Sequence, residues 1–256
     1  ACSLYPSAIK FICEQKGGFP TGPCTYLQLD QLDYAFLRDQ TTEYTVEVKI
    51  SAIRKQQFSI PFIAYRSTGS GLQYLNALPE EVKFITVTVD KQTLEDYITF
   101  HNIEFEVLRG VYWTGPKNTK WGEVISDLYQ ERLNCKRHGH GVRADNLKLV
   151  MNSAYGKTIM KPTLTEKVFF SADKHDDSDD SKWKRRMISD FHLIKEFRWL
   201  GNHQIELTRF AKDETFTLCK YGSMILAASK HIMNQVFDLM SDNKMNIYYT
   251  DTDSFV

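Results

Sequence analysis

Residues 44 to 50 alternate apolar and polar side chains without interruption, in the order Tyr-Thr-Val-Glu-Val-Lys-Ile. Such alternation turns one row of side chains toward a core and the other toward solvent, so it demands a half-buried β-strand. Residues 84 to 89 repeat the pattern, whereas residues 121 to 136 and 223 to 240 carry apolar side chains at helical spacing. A chain that mixes both periodicities in this way is predicted to fold as an α+β protein.

The remaining elements are predicted from caps, breakers and apolar runs. Asp90 is typical of a helix N-cap and predicts a helix to about Phe100. The His-Gly-His-Gly run at residues 138–141 should separate two helices, the second of which covers residues 143–154 and ends near Gly156. The other expected elements are a turn at residues 6–7 before a short helix to residue 15, strands at residues 58–65 and 103–107, short β elements in residues 163–215, and a strand in residues 244–256 that turns at Asp251.

Composition excludes several classes of protein. The chain has 256 residues, of which 42% are hydrophobic and 25% charged, values typical of a folded globular chain rather than a disordered one. The longest apolar run has about five residues, too few to span a bilayer, so no membrane partner is expected. Five cysteines without a Cys-x-x-Cys pair argue against a disulfide framework or zinc ribbon. They favour a reducing, intracellular compartment, with cytoplasm, nucleus and mitochondrion all left open.

Charge is balanced overall but uneven along the chain. The chain has 32 basic and 32 acidic residues, yet residues 132 to 161 contain seven Lys or Arg and one acidic residue. A neutral total therefore does not exclude nucleic acid, because binding depends on local patches. Residues 173 to 180 contain five Asp and one Lys but lack the central Gly and final Glu of a calcium-binding EF-hand loop. We expect that segment to be a solvated loop.

Two carboxylates lie close together near the end of the chain. Residues 249 to 254 read Tyr-Thr-Asp-Thr-Asp-Ser and follow the apolar pair Ile247 and Tyr248. Asp251 and Asp253 share one face of a strand, and a tight turn between them could direct both to one centre. Oxygen ligands of this kind suit Mg²⁺, which leaves room for waters and substrate phosphates. A polar hairpin turn without a ligand is the alternative interpretation.

A second group of polar side chains lies on one helical face. Lys148, Asn152 and Tyr155 fall within ~60° of arc at 100° per residue. A lysine can bind a phosphate as a point charge, and a tyrosine ring can stack against a base or sugar. The alternative is a solvated lysine beside a packed tyrosine.

A third segment, Ser-Leu-Tyr-Pro at residues 3–6, precedes a predicted helix. The free backbone N–H groups of a helix start can hold a phosphate, and Tyr5 would lie beside them. Taken alone, this segment favours the alternative, an ordinary proline-initiated helix with a core tyrosine.

Together the three segments resemble motifs A, B and C of family B DNA polymerases. They occur in the same order: Ser-Leu-Tyr-Pro at 3–6, Lys-x-x-x-Asn-Ser-x-Tyr-Gly at 148–156, and Tyr-x-Asp-Thr-Asp-Ser at 249–254. The long gaps between them, and Lys157 directly after Gly156, are similar to the protein-primed subgroup of phage, viral and linear-plasmid polymerases. That subgroup has an insertion in each gap, the first of which contacts a terminal protein. RNA-primed family members remain an alternative.

The resemblance implies a polymerase right-hand fold, with palm and fingers and two inserted subdomains but no exonuclease domain or thumb. The implied division is a first part of the palm at 1–57, a terminal-protein-contacting insertion at 58–125, fingers at 126–162, a second insertion at 163–215, and a second part of the palm at 216–256. The leading Asp of the first motif would fall just before Ala1. We therefore expect a fragment of a larger enzyme, with little or no polymerase activity when isolated.

The resemblance also implies a role for each matched residue. Asp253 would bind both of two Mg²⁺ ions, for which Mn²⁺ could substitute, and Asp251 would shape the site. Tyr5 would be the steric gate against a ribose 2′-hydroxyl. The remaining implied roles are metal contact by the main chain of Ala1, nucleotide binding by Ser3, Leu4, Lys148, Asn152 and Tyr155 with Lys136 or Arg143 as a second phosphate contact, and DNA binding by Gly156, Lys157, Tyr249 and Thr252.

The function implied is that of a DNA-directed DNA polymerase. Its partners would be a DNA primer-template, deoxynucleoside triphosphates and a terminal or priming protein. Two other functions are kept open. A catalytically dead nucleic-acid-binding remnant is compatible with the missing Asp. A different metal-dependent phosphotransferase could use the Asp-Thr-Asp turn, but it would leave the alignment of Lys148, Asn152 and Tyr155 unexplained.

Overall fold

A computed structural model of the protein describes residues 4–28, 37, 39–55, 63–67, 71–160, 165–175, 181–210, 218–243, 245–251 and 254–255. The chain divides into two units, one made of residues 1–159 and 219–256 and the other of residues 160–218. None of the helices in the described ranges is both long and apolar enough to cross a lipid bilayer.

The larger unit contains five helices and ten strands in its described part. The helices are α1 (Leu4–Gln15), α2 (Lys91–His101), α3 (Lys120–Arg137), α4 (Gly141–Ile159) and α6 (Cys219–Asp242). The strands are β1 (Phe19–Pro20), β2 (Thr25–Tyr26), β3 (Glu43–Ile53), β4 (Ile63–Ser67), β5 (Gly71–Leu75), β6 (Ile85–Asp90), β7 (Ile103–Trp113), β8 (Lys117–Asn118), β12 (Thr250–Asp251) and β13 (Ser254–Phe255).

The main sheet is antiparallel and has the strand order β2-β7-β3-β6. Val48 lies at its centre, opposite Val87 on one side and Val107 on the other. The alternating side chains of β3 are buried at every second position, as the sequence pattern predicts. Because β3 precedes the predicted insertion boundary at residue 58 while β6 and β7 follow it, one sheet spans that boundary. The division into palm, fingers and insertions stays a prediction.

A second apolar cluster joins helices α1, α3, α4 and α6. Ala8 and Ile9 of α1 and Ile225 of α6 are fully buried there. The side chain of Asp90 ties these helices to the sheet, because it caps α2 by accepting from Thr93 N at 3.0 Å and also accepts from Ser223 Oγ at 2.7 Å. The predicted cap is therefore confirmed, and it also anchors α6.

Two predicted helix boundaries are wrong. Helix α1 begins at Leu4, so there is no turn at residues 6–7. Pro6 fits inside the first helical turn, where a backbone N–H has no partner in any case. Helix α4 continues past Gly156 to Ile159. Burial of Tyr155 and Thr158 on either side of Gly156 offsets the cost of about 1 kcal/mol that glycine imposes within a helix.

The smaller unit has a three-stranded antiparallel sheet in the order β10-β11-β9, where β9 is Thr165–Ser171, β10 is Ile194–Trp199 and β11 is Gln204–Phe210. Ile205 and Leu207 on the central strand are fully buried. A helix that the sequence did not predict, α5 (Lys182–Ser189), is capped by Ser181. Of the acidic loop, residues 173–175 are exposed, and residues 176–180 lie outside the described part.

Two helical glycines should respond in opposite ways to substitution by alanine. A Cβ at Gly222 would lie 2.4 Å from Ile159 Cγ2 and 2.6 Å from Thr158 Oγ1, whereas a Cβ at Gly156 would meet nothing within 4 Å. Gly222→Ala is therefore expected to lower the free energy of unfolding by about 1–3 kcal/mol. Gly156→Ala should raise it by about 0.5–1 kcal/mol, because alanine loses less backbone entropy on folding. Urea denaturation of both variants measures the difference, and similar effects of the two changes would contradict the packing at Gly222.

Candidate functional site

The first and second motifs meet through two tyrosine rings. Tyr5, in the first turn of α1, stacks on Tyr155 of α4 with ring centroids 4.0 Å apart and planes inclined by 17°. The two phenols also share a hydrogen bond. Burial is the main cause of a raised pKa at Tyr155, and Tyr5 contributes to the same shift. Residues separated by most of the chain thus form one rigid aromatic pair.

The three predicted side chains of α4 lie on one face of the helix, and their exposure to solvent decreases from Lys148 to Tyr155. Lys148 is exposed, Asn152 is half-buried and Tyr155 is only 8% exposed. The rise of 1.5 Å per residue places Lys148 about 10 Å along the helix from Tyr155. The face therefore leads from a mobile cation in solvent to the fixed aromatic pair.

The other basic candidates lie farther toward the turn between α3 and α4. Lys136 and Arg143 are both exposed. Arg143 forms an ion pair with Glu131 across the two helices, while none of the ion pairs within the described residues includes Lys136. Of the predicted DNA contacts, Lys157 and Tyr249 are exposed and Gly156 is half-buried.

The third motif forms a short antiparallel hairpin. Thr250 pairs with Phe255 and Asp251 pairs with Ser254, while residues 245–249 have no regular structure. The predicted long strand is thus limited to β12 and β13. Ala1, Ser3, Thr252, Asp253 and the side chain of Asp251 lie outside the described residues, so their predicted roles stay predictions.

A pocket of about 480 Å³ joins the first and third motifs. Leu4 and Tyr5 line it from α1, and Thr250 lines it from the hairpin. Helices α2 and α6 provide its other walls, including Asp96 and the exposed Lys230. Tyr5 therefore stacks on the second motif and lines the same pocket as Thr250 of the third.

Comparison with known proteins identifies the family to which the chain belongs. The sequence profile of the family described as DNA polymerase type B, organellar and viral, matches residues 1–243. The chain belongs to this family. No match was found among curated protein sequences.

The fold comparison agrees with the family. The chain is similar to a solved structure of phi29 DNA polymerase in an orthorhombic crystal form, with a TM-score of 0.58 and 18% sequence identity. The similarity covers 100% of this chain and 37% of the phi29 chain, so this polymerase chain spans well under half of that protein's length. The predicted α+β fold, part of a polymerase right hand, is confirmed.

The chemistry of the hairpin fits the divalent metal that this family of polymerases generally uses. Asp251 lies at the end of β12, and its cross-strand partner Ser254 follows after two residues, one of which is Asp253. Carboxylates are hard oxygen ligands of the type that Mg²⁺ prefers. The described residues contain no group of three or more His, Cys, Asp or Glu side chains that could hold a metal, and the side chains of Asp251 and Asp253 lie outside those residues.

One polar cluster beside the pocket was not predicted from the sequence. Asp96 of α2 is 3% exposed, and its carboxylate lies 2.6 Å from His231 Nδ1 and accepts a hydrogen bond from Asn234 Nδ2 at 2.9 Å. These contacts fix α2 against α6 and thereby hold the pocket wall. The available signal was the polar pair at spacing i, i+3 on the otherwise apolar face of α6, but nothing indicated its partner 135 residues away.

Proposed function

We propose that this chain contains the nucleotide-binding part of a template-directed DNA polymerase that adds deoxynucleotides by a two-metal mechanism. The observation that carries the proposal is the stack of Tyr5 on Tyr155, which joins the first two polymerase motifs beside a pocket reached by the third. Family membership supports the reaction class.

Within this proposal, Asp251 and Asp253 hold Mg²⁺. When bound, Mg²⁺ would supply Lewis-acid stabilisation of the attacking 3′-hydroxyl and of the leaving pyrophosphate. Lys148 is exposed and binds the triphosphate as a point charge. Lys136 or Arg143 supports it as the second phosphate contact, and Arg143 would leave its exposed ion pair with Glu131 at a cost of no more than about 1 kcal/mol.

Tyr5 and Tyr155 form the wall that faces the sugar and the nascent base pair. Their stacked rings support each other, because an aromatic pair contributes about 0.5–1.5 kcal/mol beyond the area that it buries. A rigid wall discriminates by shape, because a group that does not fit must either displace packed atoms or leave. Asn152, one turn before Tyr155 on the same face, lies where an amide could hydrogen-bond the base or sugar edge.

We further propose that a protein hydroxyl can serve as the primer. The support is the length of the two gaps between motifs, about 145 residues from Tyr5 to Asn152 and 99 from Asn152 to Asp251. The sheet of β3, β6 and β7 occupies part of the first gap, and the unit of residues 160–218 occupies part of the second.

Primer extension by the protein in its natural full length tests both proposals. With Mg²⁺ and all four deoxynucleoside triphosphates, we expect template-directed extension of a DNA primer. With a candidate priming protein and no nucleic-acid primer, we expect a deoxynucleotide linked to that protein. Extension from DNA or RNA primers alone would refute protein priming and retain the polymerase. No extension by folded protein would favour a nucleic-acid-binding remnant instead.

A further inference from the structure

A second pocket lies among helices α1, α3 and α4, and two of its lining residues, Pro6 and Met151, belong to the first and second motifs. It has a volume of about 220 Å³. Among the residues that line it are Pro6 and Lys10 of α1, Ile125, Tyr129 and Arg132 of α3, and Met151 of α4, together with three neutral polar side chains of α1 and α3. No Asp or Glu is among the described residues that line it.

Arg132 is the exceptional residue of this pocket. Its side chain is buried, with 7% of the residue exposed, and its Nε makes no hydrogen bond to any described atom. None of the ion pairs within the described part of the chain includes it. A guanidinium stays charged at physiological pH, and a buried charge without a partner is costly.

Another buried arginine of this chain, Arg209, differs from Arg132 in having acidic partners. The Arg209 side chain in the smaller unit is 12% exposed, and it forms ion pairs with both Glu166 and Asp190. Arg132 is similarly buried, but no Asp or Glu of the described residues forms an ion pair with it. The contrast between Arg209 and Arg132 indicates that Arg132 is suited to pair with the carboxylate of a ligand.

The surroundings of Arg132 also constrain the ligand. Ile125, Tyr129 and Arg132 follow helical spacing on one face of α3, and Ile125 and Met151 are 3% and 1% exposed. Lys10 adds a second cation at the wall, although it also lies 3.5 Å from Glu14. The pocket thus combines positive charge with walls that are apolar at Ile125, Tyr129 and Met151 and polar elsewhere.

We propose that this pocket binds a small organic carboxylate. The carboxylate would accept two hydrogen bonds from the planar guanidinium of Arg132, a geometry that arginine favours. The apolar part of the ligand would pack against Ile125, Tyr129 and Met151. A cavity of about 150 Å³ is large enough for benzene, so this pocket accommodates an aromatic ring with a carboxylate attached.

Benzoate binding to the protein in its natural full length tests the proposal. We expect isothermal titration calorimetry to detect benzoate binding to the wild type, and Arg132→Met to weaken it by about ten- to hundredfold. Methionine keeps the apolar stem, so the variant should fold, as circular dichroism can verify. Arg54→Met is the matched control, because Arg54 is an exposed arginine that pairs with Glu104 and does not line the pocket.

Comparing the affinities of benzoate, benzamide and inorganic phosphate separates the contribution of the ligand's charge from that of its apolar ring. Benzamide, which is neutral and of similar size, should bind at least tenfold more weakly than benzoate. Inorganic phosphate, which lacks an apolar part, should also bind more weakly. Absence of benzoate binding by the wild type, equal binding of benzamide, or equal binding of phosphate would each overturn the proposal.

Substitutions of Arg132 test whether its guanidinium binds the carboxylate of benzoate. Undiminished benzoate binding by Arg132→Met would overturn the proposal as well. If that variant does not fold, Arg132→Lys replaces it, because lysine keeps the charge but lacks the planar fork. We expect Arg132→Lys to bind benzoate less tightly than the wild type, and unchanged affinity would contradict the bidentate contact.

Discussion

Asp253→Asn is expected to lower the rate of deoxynucleotide incorporation by about 10³-fold or more, with primer-template affinity nearly unchanged. Asparagine keeps the size of the side chain but removes the negative charge that would hold Mg²⁺. Loss of several kcal/mol of transition-state stabilisation corresponds to a rate effect of this size. Single-turnover incorporation measures the chemical step, and a DNA-binding titration measures affinity.

A matched control for this variant is Asp173→Asn. Asp173 is an exposed carboxylate in the smaller unit, whose side chain accepts a hydrogen bond from His175 N. We expect that change to leave incorporation within twofold of the wild type. Normal incorporation by Asp253→Asn would remove this residue from the metal site. Parallel losses of incorporation and DNA affinity would instead indicate a folding defect.

Tyr5→Val is expected to reduce discrimination between deoxyribonucleotides and ribonucleotides by about 10- to 200-fold, the range over which a pocket rejects one small extra group. Valine leaves empty the space that the stacked ring fills beside Tyr155, and a 2′-hydroxyl can then enter. The ratio of kcat/KM for the two classes of nucleotide is the measurement.

Tyr5→Phe is the matched variant for the gate. It keeps the ring on Tyr155 but removes the phenol that shares a hydrogen bond with it. We expect discrimination to remain within a few-fold of the wild type, because the ring's volume excludes the hydroxyl. Unchanged discrimination in Tyr5→Val would show that another residue acts as the gate.

Local patterns predicted the elements well where side-chain periodicity and packing agree. The alternation in β3 identified the strand because one face of the main sheet is buried, and Asp90 identified the start of α2 because a cap is a local interaction. Pro6 and Gly156 were misleading for different reasons. Pro6 lies within the first turn of α1, where a missing backbone N–H costs nothing, so it does not set the boundary. Gly156 is retained inside α4 because burial of Tyr155 and Thr158 offsets its low helix propensity.

The site was predictable only in part. Motif order indicated that Tyr5 and Tyr155 belong to one site, yet their direct stacking depends on how α1 and α4 pack. The contacts of Asp96 with His231 and Asn234 join helices that are distant in sequence, so no local pattern could reveal them. The burial of Arg132 could not be predicted from a local pattern either. A single arginine on a helix is normally exposed, and only tertiary packing buries it.

The contact of Gly222 with Thr158 and Ile159 has a consequence for the evolution of this chain. Helix α4 ends at Ile159 and helix α6 begins at Cys219, one helical turn before Gly222. The chain thus leaves the larger unit and returns to it at neighbouring points, and residues 160–218 form a cassette between them. Because both attachment points lie within the packing of the larger unit, we expect residues 160–218 to tolerate changes in length and sequence with little effect on the stability of the larger unit.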